Sequence, residues 1–172
     1  HNHSFIEFTI IVANQIDAYL RMSIILNTQL KNKNDSFDIK FVYQSDSDKV
    51  ISERSIYKEA LDEKIIEQNL FDELELLYKE RNKMVHRYII SELRTRDLIM
   101  IAYKYETICE KVNSILRELE DRQIELRIGT YGNGAFSDTN YTEDALNFLY
   151  AQVNDKHLTE QFERKINAPN SA

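Results

Sequence analysis

Proline occurs once and glycine three times in 172 residues, and there is no tryptophan. Sandwiches and barrels turn often, and glycine and proline make most turns, so this scarcity argues against an all-β fold and for long helices. Cys109 is the only cysteine. An intramolecular disulfide and a cysteine-based zinc site are therefore excluded, and a reducing, cytoplasmic setting is expected. Positive charge is in short supply, with 22 Lys and Arg against 29 Asp and Glu, a formal net charge of -7. That balance opposes a general nucleic-acid coating protein, whose binding is dominated by phosphate attraction, but leaves room for a local basic site. No uninterrupted apolar run reaches the roughly 20 residues of a membrane span. Ile10 to Ala13 is soon interrupted by Asn14, Gln15 and Asp17, and no signal peptide, internal repeat or low-complexity segment is read.

What is present is helical periodicity. Ser4 and Glu7 have the spacing of a capping box, opening a helix from about Phe5 to Leu30. Phe5, Phe8, Val12, Ile16, Tyr19, Ser23, Leu26 and Leu30 form its stripe, and Ile6, Ile10, Ala13, Leu20 and Ile24 add apolar surface at the side. Phe37, Ile39, Phe41 and Tyr43 alternate, which predicts a short extended or hairpin segment near 37–43. A loop from Gln44 to Lys49 follows. A second helix is expected from Ser55 to Gln68, with Ile56, Tyr57, Ala60, Leu61 and Ile65 inward and Val50 and Ile51 as an alternative earlier start, and a third from Leu70 to Ile90. The fourth is the clearest: Leu98, Ile101, Tyr105, Ile108, Val112, Ile115 and Leu119 step by three and four up to an end near Arg127. All three glycines lie between Arg127 and Tyr141 and mark a boundary. The expected architecture is all-α: an antiparallel bundle of four to five helices over 4–127. Residues 128–172 form a small appendage, with short helices at Asp144–Val153 (capped by Asn140 and Glu143) and Lys156–Ile166.

One irregularity stands out on the third helix. Leu70, Leu74, Leu77, Met84 and Tyr88 share a face, and Arg81 occupies that face where an apolar residue is expected. A permanent charge beside packed surface needs a partner, a solvated cleft or an anion. His86, five residues on, is a group that titrates near neutral pH. Residues five apart on an ideal helix are separated by about 140° around its axis. One continuous helix therefore cannot easily aim both at one phosphate. Either the helix loosens near His86, or a second copy of the chain completes the site, which predicts a homodimer. Lys79, Lys83, Arg87, Arg94 and Arg96 surround the pair, against Glu80, Glu92 and Asp97.

Arg81-Asn82-Lys83-Met84-Val85-His86-Arg87-Tyr88 resembles the Arg-x4-His-x-Tyr motif of the HEPN superfamily, in the form found in HEPN toxins paired with a nucleotidyltransferase antitoxin. The resemblance implies a metal-independent endoribonuclease without cofactors, a toxin or antiviral defence effector, working on RNA as a homodimer. Arg81 and His86 would be catalytic, with Asn82, Lys83 and Arg87 in support and Tyr88 as a candidate acceptor of AMP from a partner enzyme. The chemistry is compatible: His86 can act as base or acid on the 2′-hydroxyl or 5′-oxygen, and Arg81 can bind the non-bridging oxygens. Asn82, four residues before His86, can orient the ring or the phosphate. The alternative within the family is a non-catalytic module that binds RNA, a nucleotide or a partner protein. The plainer alternative is a structural pair, with Arg81 on an acid such as Glu7 or Asp17 and His86 on a backbone carbonyl. Tyr88 and Cys109 then read as packing, and His1, His3 and His157 form no site. The histidines are too scattered to suggest a metal.

Overall fold

A computed structural model of the chain describes residues 4–44 and 50–132. Within them lie α1 (Phe5–Asn32), α2 (Glu53–Asp62), α3 (Gln68–Arg87), α4 (Thr95–Leu126) and a single-turn α5 (Gly129–Gly132). The described residues contain no strand, and the molecule is an all-α bundle, as the scarcity of turn formers predicts. The loop at 45–49, the helices expected over 144–153 and 156–166, the Asn140 cap, and His1, His3 and His157 lie outside the described residues.

The helices depart from a simple antiparallel order. The first half of α1 meets the start of α4 around Phe5, Phe8, Ile99 and Ala102. Its far end packs Leu26 and Leu30 on Leu116 and Leu119. These two helices are therefore parallel, and they make the most extensive contact in the bundle. Alongside α2, Arg21 reaches the Ile51 carbonyl at 3.4 Å and Lys31 the Glu63 carboxylate at 2.5 Å, so α1 and α2 are parallel too. Helix α3 is antiparallel to both neighbours: Glu53 meets Arg81 while Arg54 meets Glu75, and Glu80 meets Lys104 while Glu73 meets Lys111. A parallel α1–α2 pair requires a long return crossover, and residues 33–52 supply it.

The core is read well from the periodicity of the two long helices. Ile16, Leu20, Ile24, Leu74, Met84, Tyr105 and Val112 are fully or almost fully buried. On α4 the expected stripe is buried except at one step, where Leu116 rather than Ile115 is buried before Leu119 returns to register. Helix α1 begins after Ser4, but the capping box does not form. The Ser4 backbone (φ -88°, ψ 87°) departs from the extended shape of a capping serine, and its side chain caps nothing.

Two further expectations are corrected. Residues 37–43 form no strand or hairpin: Asp38 is extended (φ -79°, ψ 118°), and a 3-10 turn, Ile39–Phe41, follows. The Asp38 carboxylate accepts from the Lys40 amide at 3.0 Å and starts that turn. Only Phe41 is buried, while Phe37, Ile39 and Tyr43 are exposed. Helix α2 starts at Glu53, between the two starts expected at Val50 and Ser55, where the Ser52 hydroxyl accepts from the Ser55 amide at 3.2 Å. It ends six residues early, because Lys64 adopts a left-handed conformation (φ 58°) and folds Ile65 and Ile66 back onto the core.

By length and mean hydropathy α1 is apolar enough to cross a membrane, although no uninterrupted apolar run within it is that long; half of its most apolar stretch is buried inside the bundle. Beyond α4 the chain is tied back by two buried amides. The Gln29 Oε1 accepts from Gln123 Nε2 (2.9 Å), the Thr130 amide (3.1 Å) and the Thr130 hydroxyl (3.1 Å). Gln123 also donates to the Leu26 carbonyl (3.2 Å) and accepts from the Tyr131 amide (3.0 Å). Gly129 lies at φ +75°, and a Cβ there would sit 2.4 Å from the Gln123 side chain. Glycine is needed at this position both for the turn and for the close approach.

Candidate functional site

Arg81 sits in the inward stripe of α3 between buried Leu77 and Met84, and the sequence irregularity is real. Its side chain is only 15% exposed and is paired with Glu53, 16% exposed, at 2.7 Å between Nη1 and Oε2. The partner is thus neither Glu7 nor Asp17. Asp17 pairs instead with Arg21, one turn along α1, at 2.6 Å.

Glu53 is the first residue of α2 and accepts a second bond, from the buried Tyr57 hydroxyl one turn later. On the other side Arg81 Nη2 donates to the Asn82 side-chain oxygen at 3.3 Å. The Tyr78 ring lies with its centroid 5.0 Å from the guanidinium carbon, at cation–π distance. The fully buried Tyr105 contributes a hydroxyl without a hydrogen-bond partner among the described residues. Carboxylate, amide and aromatic ring together hold the guanidinium.

The electrostatics follow from that packing. Burial disfavours the Arg81 charge, but the hydrogen-bonded Glu53 carboxylate outweighs it and holds the guanidinium above its ordinary range. Burial, with the nearby Glu53 charge, pushes the Tyr57 hydroxyl well above its usual value. Burial also raises Tyr105, against the opposing pull of Arg81. Both phenols stay neutral across the physiological range, and Arg81 stays charged.

His86 has a different environment. It is exposed in the last turn of α3 and has no hydrogen bond or ion pair among the described residues. The α-helix runs from Gln68 to Arg87, where the backbone (φ -133°, ψ 11°) leaves helical values, and a 3-10 turn follows at Tyr88–Ile90. The loosening comes after His86, so one chain does not bring the guanidinium and imidazole together.

Around them, Lys83 and Arg87 are exposed and Asn82 is half-buried. Lys83 borders a recess of about 290 Å³ with Glu80, Asp97, Met100 and Lys104. Tyr88 is half-buried against the core. Beside His86 the surface is strongly apolar: Ile89 is 94% and Ile90 83% exposed, and Val85 is also exposed. Cys109 is partly buried, and burial raises its thiol pKa, which fits a packing role. Among the described residues no group of three His, Cys, Asp or Glu is placed to hold a metal ion.

The cluster includes Tyr57 and Tyr105, which sequence reasoning marks only as inward-facing, and Glu53 and Tyr78, which it does not mark. Tyr78, three residues before Arg81, had a usable signal, since i,i+3 positions meet on a helix. Glu53 had none, because its pairing across 28 residues exists only once α2 and α3 have packed. No protein-family model, curated protein or solved structure matches this chain.

Proposed function

We propose that this chain is a metal-independent endoribonuclease of HEPN type, a toxin or antiviral defence effector of the cytoplasm that acts as a homodimer. The observation that carries the reading is a permanently charged, partly buried Arg81 five residues before a His86 that is exposed and, among the described residues, unpaired on the same helix. In this reading His86 takes the 2′-hydroxyl proton or gives one to the 5′-oxygen, and Arg81 binds the non-bridging oxygens as charge builds on phosphorus. Asn82, Lys83 and Arg87 support the phosphate, and Tyr88 is the candidate AMP acceptor for a nucleotidyltransferase antitoxin. Two copies joined through the apolar surface beside His86 would close the angular gap between the two groups.

The test is cleavage of a mixed-sequence RNA in EDTA by the purified chain. Products ending in 2′,3′-cyclic phosphate are expected, together with loss of cleavage in His86→Ala. Equal cleavage by wild type and His86→Ala would reject the reading.

A second reading has one observation in its favour. Glu53 and Asn82 already occupy both terminal nitrogens of Arg81, which suits a module that binds RNA, a nucleotide or a partner protein without cutting. RNA binding without cleavage, lost in Lys83→Ala and Arg87→Ala, would favour that alternative.

A further inference from the structure

We infer that Glu53 is the positioning residue of Arg81, a role that deepens the ribonuclease reading and rests on it. A guanidinium on a four-bond stem samples many rotamers, and a phosphate clamp is effective only if its donors are already aimed. Glu53 supplies that aim. It belongs to a different helix, anchored by the Ser52 cap, and its carboxylate bridges Arg81 Nη1 and the Tyr57 hydroxyl. Tyr57 is fully buried, so the carboxylate is itself fixed from behind. The Tyr78 ring lies against the guanidinium and Asn82 takes an Nη2 hydrogen. The donors left over on this five-donor fork are the ones available to an anion.

The carboxylate also cancels the Arg81 charge locally. Affinity for RNA then comes chiefly from the exposed cations, and the contribution of Arg81 falls on the transition state. Glu53 is therefore expected to act on kcat more than on KM, and only through Arg81.

The experiment measures kcat and KM on an RNA oligonucleotide for wild type, Glu53→Ala, Glu53→Gln, Arg81→Ala and the double variant Glu53→Ala/Arg81→Ala. Helicity is followed by circular dichroism. Glu53→Ala is expected to lose at least ten-fold in kcat with KM changed less than two-fold. Glu53→Gln keeps an oxygen for Nη1 and should retain at least a third of wild-type kcat. The double variant should be no slower than Arg81→Ala alone. If Glu53→Ala is not folded at the assay temperature, Glu53→Asp replaces it. That variant draws the carboxylate back by one methylene and should show the same ten-fold loss.

A folded Glu53→Ala (or Glu53→Asp) with wild-type kcat would overturn the inference, as would a Gln variant as slow as the Ala variant. So would further slowing of Arg81→Ala by Glu53→Ala. Each of these outcomes leaves the ribonuclease reading standing. A wild type that cleaves no RNA ends that reading, and the role assigned to Glu53 with it.

Discussion

Two residues of one motif meet opposite environments, and this separates catalytic from structural effects. Removing Arg81 leaves the Glu53 carboxylate largely buried without its partner, and breaking such a pair costs about 3–5 kcal/mol when burial is complete. With both side chains about one-sixth exposed, Arg81→Ala should cost about 2–3 kcal/mol, read as a lower denaturation midpoint at unchanged slope. His86 is exposed and unpaired among the described residues, so His86→Ala should stay within about 0.5 kcal/mol of wild type. The same variant should lose about a hundred-fold or more in cleavage. A stability loss as large as that of Arg81→Ala would show that His86 has a buried role. The misplaced arginine could be seen in the sequence because an apolar stripe makes a charge conspicuous. Its partner could not, since 28 residues and a helix packing angle separate Glu53 from Arg81, and a one-dimensional pattern encodes neither.

At the scale of elements, periodicity located the long helices and missed how the chain connects them. Helices α1 and α4 repeat the same spacing many times, so their cores were legible nearly to the residue. The segment around Ile39 alternates as a strand does, but Asp38 captures the Lys40 amide and turns it into a 3-10 helix. One local hydrogen bond outweighed a four-residue pattern that has no neighbouring strand among the described residues to pair with. The end of α2 was hidden in the same way, because a lysine in a left-handed conformation leaves no mark on composition. Helices α2 and α3 are joined at the surface by Arg54, which donates twice to Glu75 at 2.7 and 2.6 Å. The hydrogen bond from Arg54 holds the Glu75 carboxyl below its ordinary value. A depressed carboxylate contributes stability above its unfolded pKa, about 4.3, and that contribution fades as pH falls through the folded value. Glu75→Gln should therefore narrow its gap to wild type in melting temperature as the buffer is taken from pH 6 to pH 3. A gap that widens in acid would contradict the sign. At the C-terminal end of α4, Gln123→Leu strips Gln29 and the Leu26 carbonyl of a buried donor and should cost about 1–3 kcal/mol, again read by chemical denaturation.

For the whole molecule, the exposed pair Ile89 and Ile90 beside His86 should decide the oligomeric state if two copies share the site. Ile89→Glu with Ile90→Glu is expected to shift the sedimentation mass from dimer to monomer and to lose cleavage together. A monomeric variant with full cleavage would remove the need for a second copy. The architecture itself has an unused margin. Lys33, Lys64 and Arg127 each adopt positive φ, at 53°, 58° and 53°, where the backbone leaves a helix. A side chain in that conformation costs on the order of 1 kcal/mol relative to glycine, part of which glycine returns through its looser unfolded chain. Glycine at each of these three bends would raise the ceiling of heat tolerance without touching a buried contact or the groups around Arg81, so a hardier version of this protein is three surface replacements away.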